Sequence, residues 1–220
     1  MDGFLRIFLL LAAVAAFLTL LKFLLPAINK IVSKFIVRYK LKSSLPASYY
    51  ALLNDITLET SQGTSRIDHI VVSPYGLFVI ESKHYSGWIF GSEDDAHWIR
   101  TFYRWKTRFQ NPLRQNRAHI RALQELLGLD RSKFHSLVVF SGSARFRAPM
   151  PVNVTELGGL LPFIQVRTDK LIEFEEADRV AGVIRSSCLK PGRKSTTARI
   201  PSLKARQQAL GSVFELGRHK

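Results

Sequence analysis

The stretch that most narrows the fold is residues 66–83, RIDHIVVSPYGLFVIESK. Two runs rich in Val, Ile and Phe flank Ser73-Pro74-Tyr75-Gly76, a turn signal, so the stretch reads as a β-hairpin. Each arm carries charge where a buried strand should have none. Side chains alternate across a strand, which sends Leu77, Val79, Glu81 and Lys83 to one face and Phe78, Ile80 and Ser82 to the other. If Ser73 pairs with Gly76, counting outward sets Asp68 opposite Glu81 on the same face, with Cβ atoms roughly 4.5–5.5 Å apart. A three-residue loop with a Gly bulge, which Pro-Tyr-Gly also permits, would put the two on opposite faces. Carboxylates that close repel each other unless positive charge lies between them. A divalent cation satisfies both, and magnesium, bound by one or two carboxylates plus substrate phosphates, suits the pair. Lys83 then sits beside the metal, placed to orient or deprotonate a water or to stabilise charge on a phosphoryl oxygen.

The order Asp68, then Glu81-Ser82-Lys83, resembles the core of the PD-(D/E)xK nuclease superfamily. The longer words GTSRIDHIVVSPYGLFVIESKHYSGWIFG and FQNPLRQNRAHIRAL resemble the nuclease-related domain, NERD, and the likeness covers roughly residues 49–165. The resemblance implies a restriction-endonuclease-like core and a site using Mg2+ or Mn2+. Asp68, Glu81 and Lys83 would fill the catalytic positions, Asp68 and Glu81 would bind the metal, and Gln115 matches a further polar position. Members typically carry a Gly-Glu pair in a helix before the first strand, and that Glu joins the metal site. Here nothing acidic stands between Asp2 and Asp55, and the region reads KFIVRYKLKSSLPAS. The departure leaves three outcomes open: weak metal binding, recruitment of Glu59 or Asp55, or an inactive site.

Residues 3–28 form the longest apolar segment, interrupted only by Arg6 and Lys22, and meet the length needed to cross a bilayer. A cleaved signal peptide would end near Ala-Val-Ala-Ala, but apolar sequence continues beyond it, which favours a retained anchor. Residues 29–48 carry Lys30, Lys34, Arg38, Lys40 and Lys42 without an acid. By the positive-inside rule this segment stays cytoplasmic, which places a single-pass protein in the inner membrane with its domain in the cytoplasm. The same charges suit anionic lipid head groups. A net charge of +15 and a pI near 10.3 point towards polyanions, whether nucleic acid, anionic lipid or both, and away from a plain cytosolic enzyme; the family resemblance implies DNA among these. The sole cysteine, Cys188, excludes an intramolecular disulfide and a cysteine zinc cluster.

The globular part is expected at 49–188, with a basic flexible tail from 189 to 220. Strands are expected over 50–58, 87–91, 136–140 and 149–155, the third bordering the hairpin, and a closing helix over 174–187. Asn111-Pro112 starts a helix that Gly128 stops. Arg100, Arg104, Lys106 and Arg108 alternate with Phe102, Tyr103, Trp105 and Phe109, a pattern that suits a nucleic-acid groove or an edge strand equally. Arg114 extends the same basic set. Trp88, Phe90 and Trp98 read as core, Glu93-Asp94-Asp95 as a solvated turn, and His119 as a helix-surface histidine. Alternation turns His69 and His84 away from the site face. The expected whole is an α/β domain with a mixed central β-sheet flanked by helices behind one N-terminal transmembrane helix. Its expected function is metal-dependent hydrolysis of DNA at a membrane. A non-cutting nucleic-acid-binding protein of the same fold is the alternative, and a lipid-surface protein the third.

Overall fold

A computed structural model describes residues 2–60 and 63–189. Within them the chain is mixed α/β, as the hydrophobic patterning requires. The hairpin forms as Gly63–Ser73 (β2) and Gly76–Lys83 (β3), with Ser73 paired to Gly76 across a two-residue Pro74-Tyr75 turn. The bulged alternative is therefore absent. Ser73 Oγ donates to the Gly76 carbonyl and accepts from the Tyr75 N–H. Gly76 has φ 110°, and a Cβ there would meet the Lys133 carbonyl at 2.8 Å, so the turn needs glycine.

Ala51–Thr60 (β1) pairs antiparallel with β2, while Phe134–Phe140 (β7) and Val154–Glu156 (β9) add in parallel beyond β3. The order is β1-β2-β3-β7-β9. Both faces of this sheet are covered, which explains why its central strands read as continuous apolar runs. One face packs on Pro112–Leu127 (α2) and Phe174–Ser186 (α4) through Ile70, Val72, Val79, Ile120, Leu123 and Val180. The other packs on Asp2–Ser44 (α1) and Leu160–Gln165 (α3) through Val71, Phe78, Ile80, Val37 and Leu41.

Gly87–Phe90 (β4), His97–Phe102 (β5), Trp105–Gln110 (β6) and Ala144–Phe146 (β8) form a second sheet, ordered β6-β5-β4-β8. The single central sheet of the sequence reading thus becomes two. Gly87 and Gly91, with φ 96° and 155°, bracket β4 where the chain leaves the first sheet. Trp98 is fully buried, whereas Trp88 and Phe90 are partly exposed, which corrects their assignment to the core. Trp88 lies instead beneath the Arg147 guanidinium, 3.9 Å from its ring centre.

Helix α1 is continuous through the apolar segment and the basic stretch after it. Gly3–Leu21 is long and apolar enough to cross a membrane, and none of it is buried in the fold. Further along, Ser33, Val37, Leu41 and Leu45 repeat every four residues and are all buried against the first sheet. The expected basic tail lies outside the described residues beyond Leu189.

The hairpin departs from regular alternation at one place. Asn54 pairs with His69 and Ile56 with Ile67, leaving Asp55 and Asp68 at an unpaired step, and Asp55 has φ 53°. Leu53 and Ile56 join the same core, as do Ile67 and Ile70, which strict alternation forbids. Both strands therefore change face at this step.

His69, fully buried on the α1 side, shares a hydrogen with Asn54 Oδ1 through Nδ1 at 2.7 Å. Burial pushes its pKa from 6.5 down to about 4, against the pull of the Asp68 carboxylate. The folded chain thus refuses a proton that the unfolded chain accepts below pH 6.5. Stability contributed by neutral His69 is complete above that pH and is lost as pH falls towards 4, by on the order of 3 kcal/mol. Urea unfolding at pH 7 and pH 4.5 should show the loss, and a His69→Gln variant should not; equal slopes in the two chains would refute it.

Candidate functional site

The site is built where the C-terminal end of β3 meets α2. Two asparagines dock that helix. Asn111 caps its first turn by accepting from the Leu113 N–H, and its Nδ2 donates to the carbonyls of Ser92, Glu93 and Asp95. Asn116 Nδ2 donates to the Val79 carbonyl at 2.8 Å and to Ser136 Oγ at 2.9 Å. With the helix fixed in this way, Gln115 faces the end of β3. Lys83 Nζ donates to Glu81 Oε1 at 2.6 Å and to Gln115 Oε1 at 3.1 Å. Glu81 is almost wholly buried, its side chain 3% exposed. The structure thus brings Glu81, Lys83 and Gln115 together.

His119, one turn after Gln115, is buried rather than on the helix surface, a correction to the sequence reading. Its Nδ1 lies 2.8 Å from Ser65 Oγ, and its Nε2 lies 3.6 Å from Glu81 Oε2. Neither Glu81 Oε2 nor His119 Nε2 has a hydrogen-bond partner among the described residues. The four-residue step from Gln115 was the available signal, because it stacks the two side chains over β3.

Asp68 extends the register one step beyond the His69–Ile80 pair and so falls level with Glu81, as counted from the turn. The change of face turns its carboxylate to the α1 side, away from the α2 side that Glu81 faces, which corrects the expectation that the two share a face. Oδ2 accepts from the Ser82 N–H at 3.2 Å and from Ser82 Oγ at 3.0 Å, although Ser82 belongs to the opposite alternation set from Glu81. Oδ1 lies 2.6 Å from Nζ of Lys34, a residue of α1, and the same ammonium lies 2.6 Å from Asp55 Oδ1. Burial alone would raise the Asp68 pKa; the Lys34 charge and hydrogen bond, with the Ser82 N–H, outweigh it and hold the group below its ordinary value. Asp55 is shifted down in the same way, burial again opposing Lys34 and Arg66. Of the two acids open to recruitment, Asp55 reaches Asp68 through Lys34, whereas Glu59 is exposed on β1 opposite Thr64.

The basic set divides. Arg104, Lys106 and Arg108 are exposed on the β5–β6 hairpin beside Tyr103 and Trp105, which are 87% and 77% exposed. Arg100 is half-buried, donating to the Ser86 carbonyl and lying 5.3 Å from the Tyr85 ring centre. Arg114 is exposed on α2 and donates to the Asp94 carbonyl. β6 is an edge strand, as the edge-strand alternative for this stretch requires. The acidic run at 93–95 is exposed, Asp95 accepting from Ser92 and Glu93 pairing with Arg117.

Among the described residues no three His, Cys, Asp or Glu side chains converge as a ligand cluster. The donor chemistry nevertheless fits a hard cation. Glu81 Oε2 is a buried carboxylate oxygen without a partner, and Asp68 Oδ1 already holds a cation, the Lys34 ammonium.

The chain is 41% identical over 122 residues to an uncharacterised protein of Bacillus anthracis, an alignment taking in 50% of this chain and 57% of that one. It therefore spans little more than half the length of that curated relative. No solved structure matches. The model of the nuclease-related domain matches residues 31–141, a range that opens just before Lys34, closes just after β7 and includes every side chain of the site. With just over half of its length in that match, the chain belongs to the nuclease-related domain family.

Proposed function

We propose that this protein is a membrane-anchored nuclease that hydrolyses phosphodiester bonds of DNA with Mg2+ or Mn2+. The convergence of Glu81, Lys83 and Gln115 at the end of β3, with Asp68 level with them on β2, carries the reading. Asp68 and Glu81 would hold the ion, which when bound lowers the pKa of a water and neutralises phosphate charge. Lys83 presents a fixed positive charge to the oxygen that gains charge as the bond breaks. Glu81 and Gln115 hold that ammonium at two points, so its position is set before substrate arrives. Arg104, Lys106 and Arg108 would neutralise backbone phosphates, while Tyr103 and Trp105 offer faces on which bases stack. Gly3–Leu21 is read as the anchor, and by the positive-inside rule the basic residues after it support a domain at the cytoplasmic face of the inner membrane.

One observation favours the non-cutting, DNA-binding reading: Lys34 already sits on the carboxylate that a metal would use. Plasmid incubated with the full chain in detergent micelles separates the two. Nicking in Mg2+ or Mn2+ that stops on chelation is the expected result. Intact plasmid under every condition, with DNA still retained in a gel shift, would replace the nuclease by the binding protein.

A further inference from the structure

We propose that Lys34 is a tethered competitor for the divalent ion, closing the metal position at Asp68 until it is displaced. This rests on the assignment of Asp68 as a metal ligand made above.

Lys34 is held in place by its own helix. Ser33, beside it, is fully buried and accepts from Ser141 Oγ at 3.0 Å, and the Ser141 N–H donates to the Lys83 carbonyl. Val37 and Leu41 continue the buried stripe. α1 is thereby tied to the C-terminal ends of β3, which carries Glu81 and Lys83, and of its neighbour β7. The Lys34 side chain is 11% exposed and shared between two carboxylates, unlike the solvent-exposed pairs that contribute little to a fold. A divalent ion on Asp68 Oδ1 would lie against that ammonium and be repelled by it, so the two occupy the position in turn. Without Lys34, Asp68 loses the ammonium on its Oδ1 and Asp55 keeps the more exposed Arg66 at 3.5 Å, so an added ion supplies the missing charge. Lys34 therefore sets both the ion affinity and the stability of the ion-free site.

The test uses the full chain in detergent micelles and reads Mn2+ binding from loss of the free aqua-ion signal in electron paramagnetic resonance. Thermal melts with and without Mn2+ run beside it. Lys34→Gln should bind Mn2+ at least tenfold more tightly than wild type, and Lys34→Glu more tightly again. Both gains should disappear when Asp68→Asn is added. Lys34→Arg, which keeps the charge, should stay at the wild-type affinity. Melting of Lys34→Gln should rise with Mn2+ by more than that of wild type. Equal affinities in wild type, Lys34→Gln and Lys34→Glu would overturn the proposal. Absence of binding in every form would overturn it together with the metal assignment. Plasmid nicking measured on the same samples keeps the two readings apart. Tighter Mn2+ binding without nicking in any form removes hydrolysis and keeps the role of Lys34. Nicking with equal affinities removes that role and keeps hydrolysis.

Discussion

Lys83→Ala is expected to lower plasmid nicking by at least about a hundredfold, the usual loss when one preorganised charge or donor aimed at the transition state is removed. The residue is placed for that effect by two contacts, to Glu81 Oε1 and Gln115 Oε1, and its side chain is still 20% exposed, so substrate can reach it. The same substitution strips a buried carboxylate of its closest positive partner. Among the described residues Glu81 then keeps only His119, at 3.6 Å, and an unsatisfied buried group costs about 1–3 kcal/mol or more. Nicking rates must therefore be compared below the variant's own melting temperature, measured by circular dichroism. Gln115→Ala removes one of the two restraints on the ammonium and leaves its charge, so a smaller loss is expected. A folded Lys83→Ala chain that nicks at the wild-type rate would remove Lys83 from the chemistry.

The largest expected loss of stability comes from Trp98→Ala, about 3–5 kcal/mol, the range for truncating a large buried aromatic side chain. Trp98 is the hinge pin between the two sheets. Its ring lies parallel to Phe140 of β7, with centres 6.3 Å apart, and edge-on to Phe109 of β6. Its Nε1–H is used as well, donating to the Ser92 carbonyl at 2.8 Å. Gly91 shows how closely the backbone packs there, since a Cβ would meet the indole at 2.3 Å. Thermal or urea unfolding should show the loss. A change below about 1 kcal/mol would mean that the second sheet docks by other contacts.

The hairpin and its register were legible because turn chemistry and an apolar pattern agreed. Ser73-Pro74-Tyr75-Gly76 formed the short turn, and the count outward brought Asp68 level with Glu81. The ends of α2 were legible for a similar reason, since Asn111, Pro112 and Gly128 each have one favoured place in a helix. Counting by twos could not foresee the left-handed Asp55, which turns both strands over just where Asp68 sits. The second sheet was hidden because most of β6 is exposed on both faces, so its strand carries little alternation to read. Lys34 looked like one more topology charge; only the serine-led stripe Ser33, Val37, Leu41, Leu45 could have marked that turn of α1 as packed. His119 was passed over because its meaning depends on a strand far away in sequence.

If Gly3–Leu21 anchors the chain as proposed, the unbroken course of α1 fixes how far the candidate site would stand from a lipid surface. With Gly3–Leu21 in a bilayer, Lys34 follows Leu21 by thirteen residues, at most roughly 20 Å along the helix axis. That height is about two and a half screening lengths at physiological salt, where charges decay over about 8 Å, but less than the roughly 30 Å that applies at 0.01 M. On the proposed function, DNA lying at the site would therefore feel little of an anionic membrane at physiological salt and would be pushed away by it in dilute buffer. Vesicle charge should matter to substrate access only when salt is low, a dependence opposite in sign to that of the basic hairpin's own attraction for the backbone.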